Sequence, residues 1–133
     1  MAWYKYAHRE NKYHAKSTEY GGRYYASKLE ASQAMELDMR MKAGELHSWK
    51  PQVPFKFYLV EEKKKWYLTD QPPNGRHNIF LCTYILDFIA ERRDGTIEFI
   101  ETKGMELSAW KTKWKYLEAL YGEDPMIVLR VVK

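Results

Sequence analysis

Ile79-Phe-Leu-Cys-Thr-Tyr-Ile-Leu-Asp87-Phe-Ile-Ala90, then Glu-Arg-Arg-Asp-Gly95, then Thr96-Ile-Glu-Phe-Ile-Glu101-Thr-Lys103, is the stretch whose reading decides the fold. The run from Ile79 to Ala90 has the length and the β-branched and aromatic content of a strand buried on both faces. An ionised Asp87 in its middle is costly unless it is paired or metal-bound. The following strand, Thr96 to Lys103, alternates, so that Ile97, Phe99, Glu101 and Lys103 share one face and Thr96, Glu98, Ile100 and Thr102 the other.

Arg93-Asp94-Gly95 suits a three-residue hairpin loop with Gly in the left-handed position. If Arg92 pairs with Thr96, Asp87 lies directly opposite Glu101, with β-carbons about 5 Å apart. A two-residue Asp-Gly turn would put the two carboxylates on opposite faces, so the register is a test of the site. Two carboxylates and a lysine converging on one point suit a hard cation such as Mg²⁺ or Mn²⁺, which needs one or two carboxylates and keeps several waters. Asp87 and Glu101 would hold the ion, and Lys103 would orient a water or neutralise charge on a phosphoryl group, which amounts to phosphodiester hydrolysis. Taken alone, the same residues also allow a buried Asp87–Lys103 ion pair on an ordinary polar strand.

An Asp on one strand followed by Glu-x-Lys on the next resembles the PD-(D/E)xK nuclease superfamily. With Tyr13-His-Ala-Lys-Ser-Thr-Glu-Tyr-Gly-Gly and Ser27-Lys-Leu-Glu-Ala upstream, the ordered set resembles small phage endonucleases akin to archaeal-type Holliday junction resolvases. Leu86 stands where the superfamily's name has Pro. The resemblance covers most of the chain. It implies an αβββαβ restriction-endonuclease-like core and a helical acidic residue, Glu30, completing the metal site. Glu30 also ends Ser27-Lys-Leu-Glu, a capping box in which its carboxylate would return to the Ser27 amide. Glu30, Ala34, Leu37 and Met41 share an inward stripe, so the two roles are compatible. Gln52, in Trp-Lys-Pro-Gln-Val-Pro-Phe, resembles the same phage family and is a secondary site candidate.

The chain's 133 residues make one domain, and 45% hydrophobic residues with 16% aromatics indicate an ordered core. No apolar run approaches a membrane span and no secretory signal is visible, so a cytoplasmic protein is expected, in the host cell if phage-encoded. Cys82 reads as core, the four histidines lack ligand spacing, and no nucleotide-binding loop is present, so neither structural zinc nor an organic cofactor is expected.

Residues 1–22 read as a basic, aromatic arm and 23–133 as the nuclease domain. Six cations against two carboxylates in residues 1–28 account for the whole net charge of +4. Lys12, Lys16, Arg23 and Lys28, interleaved nearby with Trp3, Tyr4, Tyr6 and Tyr13, could meet phosphates and unpaired bases, or the arm could pack on the domain or a second subunit. Helices are expected from Ser27 to Ala43 and from Glu106 to Tyr121, with a strand from Phe55 and a last buried strand after Pro125. Lys111 and Lys115 flank the apolar stripe of the second helix and are further candidates for a phosphate backbone or for plain solvation. Lys63, Lys64 and Lys65 read as a solvated hairpin tip or a phosphate contact.

Helix, three strands, helix and strand give an α/β domain with a mixed central sheet flanked by helices. The expected function is a metal-dependent, structure-selective endonuclease on branched DNA, a Holliday junction resolvase acting as a homodimer because symmetrical cuts need two sites. A nicking or restriction-like nuclease on linear or single-stranded DNA is the alternative enzyme, and a non-catalytic DNA-binding protein the alternative of another class.

Overall fold

The central hairpin forms in the expected register. In the computed structural model, which describes residues 17–103 and 107–133, the Arg92 amide donates to the Thr96 carbonyl at 2.8 Å and Gly95 takes φ +90°. The two strands it joins are β5 (Asn78–Arg92) and β6 (Ile97–Thr102). Ahead of them come a short hairpin, β1 (Thr18–Tyr20) and β2 (Arg23–Tyr25), helix α1 (Lys28–Lys42), and strands β3 (Leu46–Glu62) and β4 (Lys65–Thr69). Helix α2 (Ser108–Tyr121) and strand β7 (Ile127–Val132) complete the order.

The protein is thus α/β, with a mixed five-stranded sheet ordered β4-β3-β5-β6-β7, antiparallel except between β6 and β7. Each helix caps its own hydrophobic cluster. Ala31, Ala34 and Leu37 of α1 pack with Leu46, Phe88, Ala90 and Ile100. Leu117 of α2 packs with Phe57, Tyr84, Leu86 and Phe99, with Trp110 and Trp114 alongside. Strand β6 alternates cleanly between the clusters, Phe99 in one and Ile100 in the other, as a period of two requires.

Strand β5 does not. Tyr84 and Leu86 belong to the α2 cluster while Phe88 and Ala90 belong to the α1 cluster, although regular alternation would keep all four on one face. The break falls at Asp87. Across from it, between the pairs Pro51 with Phe88 and Val53 with Leu86, Gln52 takes φ +55°, a left-handed conformation unusual for a non-glycine residue inside a strand.

Several expectations need correction. Strand β5 is not buried on both faces throughout: Ile79, Phe80 and Ile85 are exposed, because α1 covers only the half of the sheet beyond the break. Met41 leaves the inward stripe of α1 for solvent, and Gln33 is buried instead. Strand β3 begins at Leu46 and runs through Pro51 and Pro54 rather than starting at Phe55. Its outer neighbour β4 pairs only with Tyr58–Glu62, so both prolines lie where β3 is the sheet edge, the place a strand tolerates the missing N–H. The hairpin β1–β2, turning through Gly21 and Gly22, straddles the arm–domain boundary expected at 22/23. β7 is half-buried, being the other edge.

Candidate active site

Glu30 from α1, Asp87 from β5, and Glu101 and Lys103 from the end of β6 come together at the break in β5. The ladder ends at the pair Phe88 with Ile100, a register that sets Asp87 opposite Glu101 one step further on. Beyond Phe88 the pairing stops, and the Thr102 amide donates to Asp87 Oδ2 at 2.8 Å, with the Thr102 hydroxyl adding a second bond at 2.7 Å. The strands part here, and a side chain takes over a bond that a longer ladder would make through its backbone.

Glu101 is 2% exposed, and Tyr84 Oη donates to its Oε1 at 2.8 Å. Lys103 Nζ lies 3.2 Å from Glu101 Oε2 and 5.5 Å from the Trp110 ring, a cation–π distance. Trp110 Nε1 in turn donates to Tyr84 Oη at 3.3 Å. Burial and the Glu101 charge push the Tyr84 phenol up, so it remains a donor. Tyr84 and Trp110 are members of the site that the sequence reading missed. The available signal was their place: Tyr84 lies in the same strand as Asp87, and Trp110 begins the helix that follows Lys103.

Glu30 is equally buried, and part of its capping role is corrected. Ser27 Oγ does accept from the Glu30 amide at 3.1 Å. The carboxylate returns not to Ser27 but to the Ala26 amide at 2.9 Å, and Gln52 Nε2 reaches its other oxygen at 3.2 Å. The left-handed turn at Gln52 thus aims that side chain at Glu30, giving the secondary candidate a definite contact.

The three carboxylates share too little positive charge. Burial, then interaction with Asp87, raises Glu30 to about 8. Burial, then the Asp87 charge, raises Glu101 to about 7 despite the bonds from Tyr84 and Lys103. Among the described residues, no three His, Cys, Asp or Glu side chains close into a ready-made metal cage. The donor set fits an ion that takes only one or two carboxylates and keeps its waters.

A second buried carboxylate on β6 went unread in the sequence. Glu98 is fully buried and meets Arg40 through two bonds, Arg92 Nε at 2.8 Å and Arg130 at 3.7 Å. Burial alone would raise it, but the bonds and charges of Arg40 and Arg92 prevail and hold it down at about 2. Its demand for partners was legible from its place between Ile97 and Phe99; the arginines, remote in sequence, were not.

Of the cations named as DNA contacts, Arg23, Lys28, Lys111 and Lys115 are exposed, whereas Lys12 and Lys16 lie outside the described residues. No helix among the described residues is long and apolar enough to cross a membrane. Neither the curated proteins nor the solved structures return a match to the chain. Residues 10–133 match the family model of DUF1064, described as a protein of unknown function, and the chain belongs to that family.

Proposed function

We propose that the protein is a Mg²⁺- or Mn²⁺-dependent, structure-selective DNA endonuclease with a restriction-endonuclease-like core, acting on branched DNA as a Holliday junction resolvase in the cytoplasm, that of the host if the protein is phage-encoded. The observation that carries this reading is the meeting of Glu30, Asp87, Glu101 and Lys103 at one strand break, with Glu30 and Glu101 held protonatable near neutrality by burial and by the Asp87 charge, which the single Lys103 does not offset. A structural ion pair would balance its charge internally, as Glu98 does; this group does not.

Asp87 and Glu101 would hold the cation, with Glu30 completing the donor set. Such an ion, when bound, polarises a phosphate oxygen and acidifies a water. Thr102 fixes one oxygen of Asp87, and Tyr84 fixes one of Glu101. Lys103, steadied by Glu101 and the Trp110 face, offers its ammonium to the charge that develops on the phosphoryl oxygens. Two copies related by a two-fold axis would place one such site on each of two strands.

The test is incubation of end-labelled four-way junction and matched linear duplex with the protein in Mg²⁺, Mn²⁺ or EDTA, beside Asp87→Asn. Paired, symmetrical, metal-dependent nicks in the junction, absent from the variant, are expected. Equal cutting of duplex would leave a general nuclease, and tight binding without cutting would leave a DNA-binding module.

A further inference from the structure

The β3–β4 hairpin carries a second feature that the site does not use. Glu62 pairs with Lys65, so the connection is the two-residue turn Lys63-Lys64, and both residues are left-handed, at φ +52° and +64°. That is the turn in which Asn-Gly is the unstrained choice. This chain instead places two lysines there, accepting backbone strain to keep two long cationic side chains at the tip. Lys65 is exposed behind them, and Trp66 and Tyr67 are 42% and 37% exposed, with the Trp66 ring edge-on to His77 at 5.4 Å. Glu62, Lys63, Lys65, Trp66 and Tyr67 line one shallow groove. Glu62 is engaged by Arg76 at 3.1 Å, which draws a further cation to the hairpin.

We propose that this hairpin is a second contact for the DNA, gripping the phosphate backbone of a duplex arm away from the cleavage point. The proposal rests on the nuclease reading above. A polyanion is the occupant that the charge selects, since lysines on an outer strand oppose pairing with a second sheet edge. The placement follows from strand geometry. From Gln52, at the site, to Glu62, at the turn, β3 spans ten residue steps, at most about 33 Å. That is close to the ~34 Å repeat of duplex DNA, so a groove facing the site faces the tip again one turn along. Lys63 and Lys64 would meet phosphates there.

The test is Lys63→Asn with Lys64→Gly, which removes both charges and supplies the relaxed turn, beside Lys63→Gln with Lys64→Gln, which removes charge alone. Binding is measured in EDTA to four-way junctions with arms of about two turns or well under one turn, over a range of salt. Both variants are expected to bind long-armed junction on the order of tenfold more weakly at 0.1 M salt, with a log–log salt slope shallower by about two, and to match the unmodified protein on short arms. The Asn-Gly form is also expected to melt higher. Unchanged affinity and slope on long arms, or equal losses on both arm lengths, would overturn the proposal. An unmodified protein that cuts junctions while the variants bind as it does would overturn the hairpin contact alone; one that binds no DNA would overturn the nuclease reading with it.

Discussion

Glu98 and Glu101 stand three residues apart on one strand, both nearly inaccessible to water, and they have opposite electrostatic fates. Glu98 is surrounded by Arg40, Arg92 and Arg130 and is held at about 2; Glu101 has one lysine, a tyrosine and two further carboxylates nearby, and is pushed to about 7. A buried carboxylate that brings its own cations is architecture, tying α1, β5 and β7 to β6. One that shares its pocket with other acids is incomplete until positive charge arrives from outside. That difference, more than the identity of any single residue, separates the part of this molecule that holds it together from the part to which the proposed function assigns the chemistry.

The largest expected effect is at the incomplete cluster. Asp87→Asn should lower junction cleavage by at least about a hundredfold, a loss typical of removing one key electrostatic group. Stability in EDTA at pH 8 should stay the same or rise, because a like charge beside Glu30 and Glu101 is gone. Thermal melts together with cleavage assays check both halves. The complete cluster should respond the other way: Glu98→Gln leaves its arginines facing one another and should cost about 3 kcal/mol, near the lower end for a broken buried pair because those arginines reach solvent. Urea unfolding measures it, and a loss no larger than that of Glu101→Gln would erase the distinction drawn here.

The pH dependence sharpens the comparison further. Glu98 is depressed, so its contribution is present above the ordinary carboxyl value near 4.5 and is lost as pH falls through about 2. Glu30 and Glu101 are raised, so between about 4.5 and their folded values near 8 and 7 the native state binds more protons than the unfolded chain, and stability falls as pH rises. Without divalent cation the protein should therefore melt lower at pH 8 than at pH 5.5, and Mg²⁺ should restore more at pH 8. The smallest change is Tyr84→Phe, which removes one buried bond to Glu101 and should lower cleavage about tenfold for about 1 kcal/mol of stability. Its pH–rate profile should shift upward, as Glu101 rises further.

The hairpin register, and with it the convergence of Asp87, Glu101 and Lys103, was legible because Gly95 and the alternation of β6 each admit few alternatives. Glu30 was legible from helical spacing and the family resemblance, but its contact with Gln52 was not, since a left-handed residue in a strand leaves no sequence signal unless it is glycine. The Gly21-Gly22 turn is readable in principle, but the basic and aromatic residues ahead of it point to an arm instead. Strand β3 is longer than the sequence suggests because prolines ordinarily mark strand ends, whereas an unpaired sheet edge accepts them. The arginines on Glu98 come from residues 40, 92 and 130, a convergence that only the folded sheet creates.

A calorimetric titration of Mn²⁺ into the protein at pH 5.5 and pH 8, beside Asp87→Asn, tests the central claim most directly. The expected result is binding that is tighter at pH 8, accompanied by proton release as Glu30 and Glu101 give up their protons, and lost in the variant. Absence of binding, or equal binding to Asp87→Asn, would contradict it.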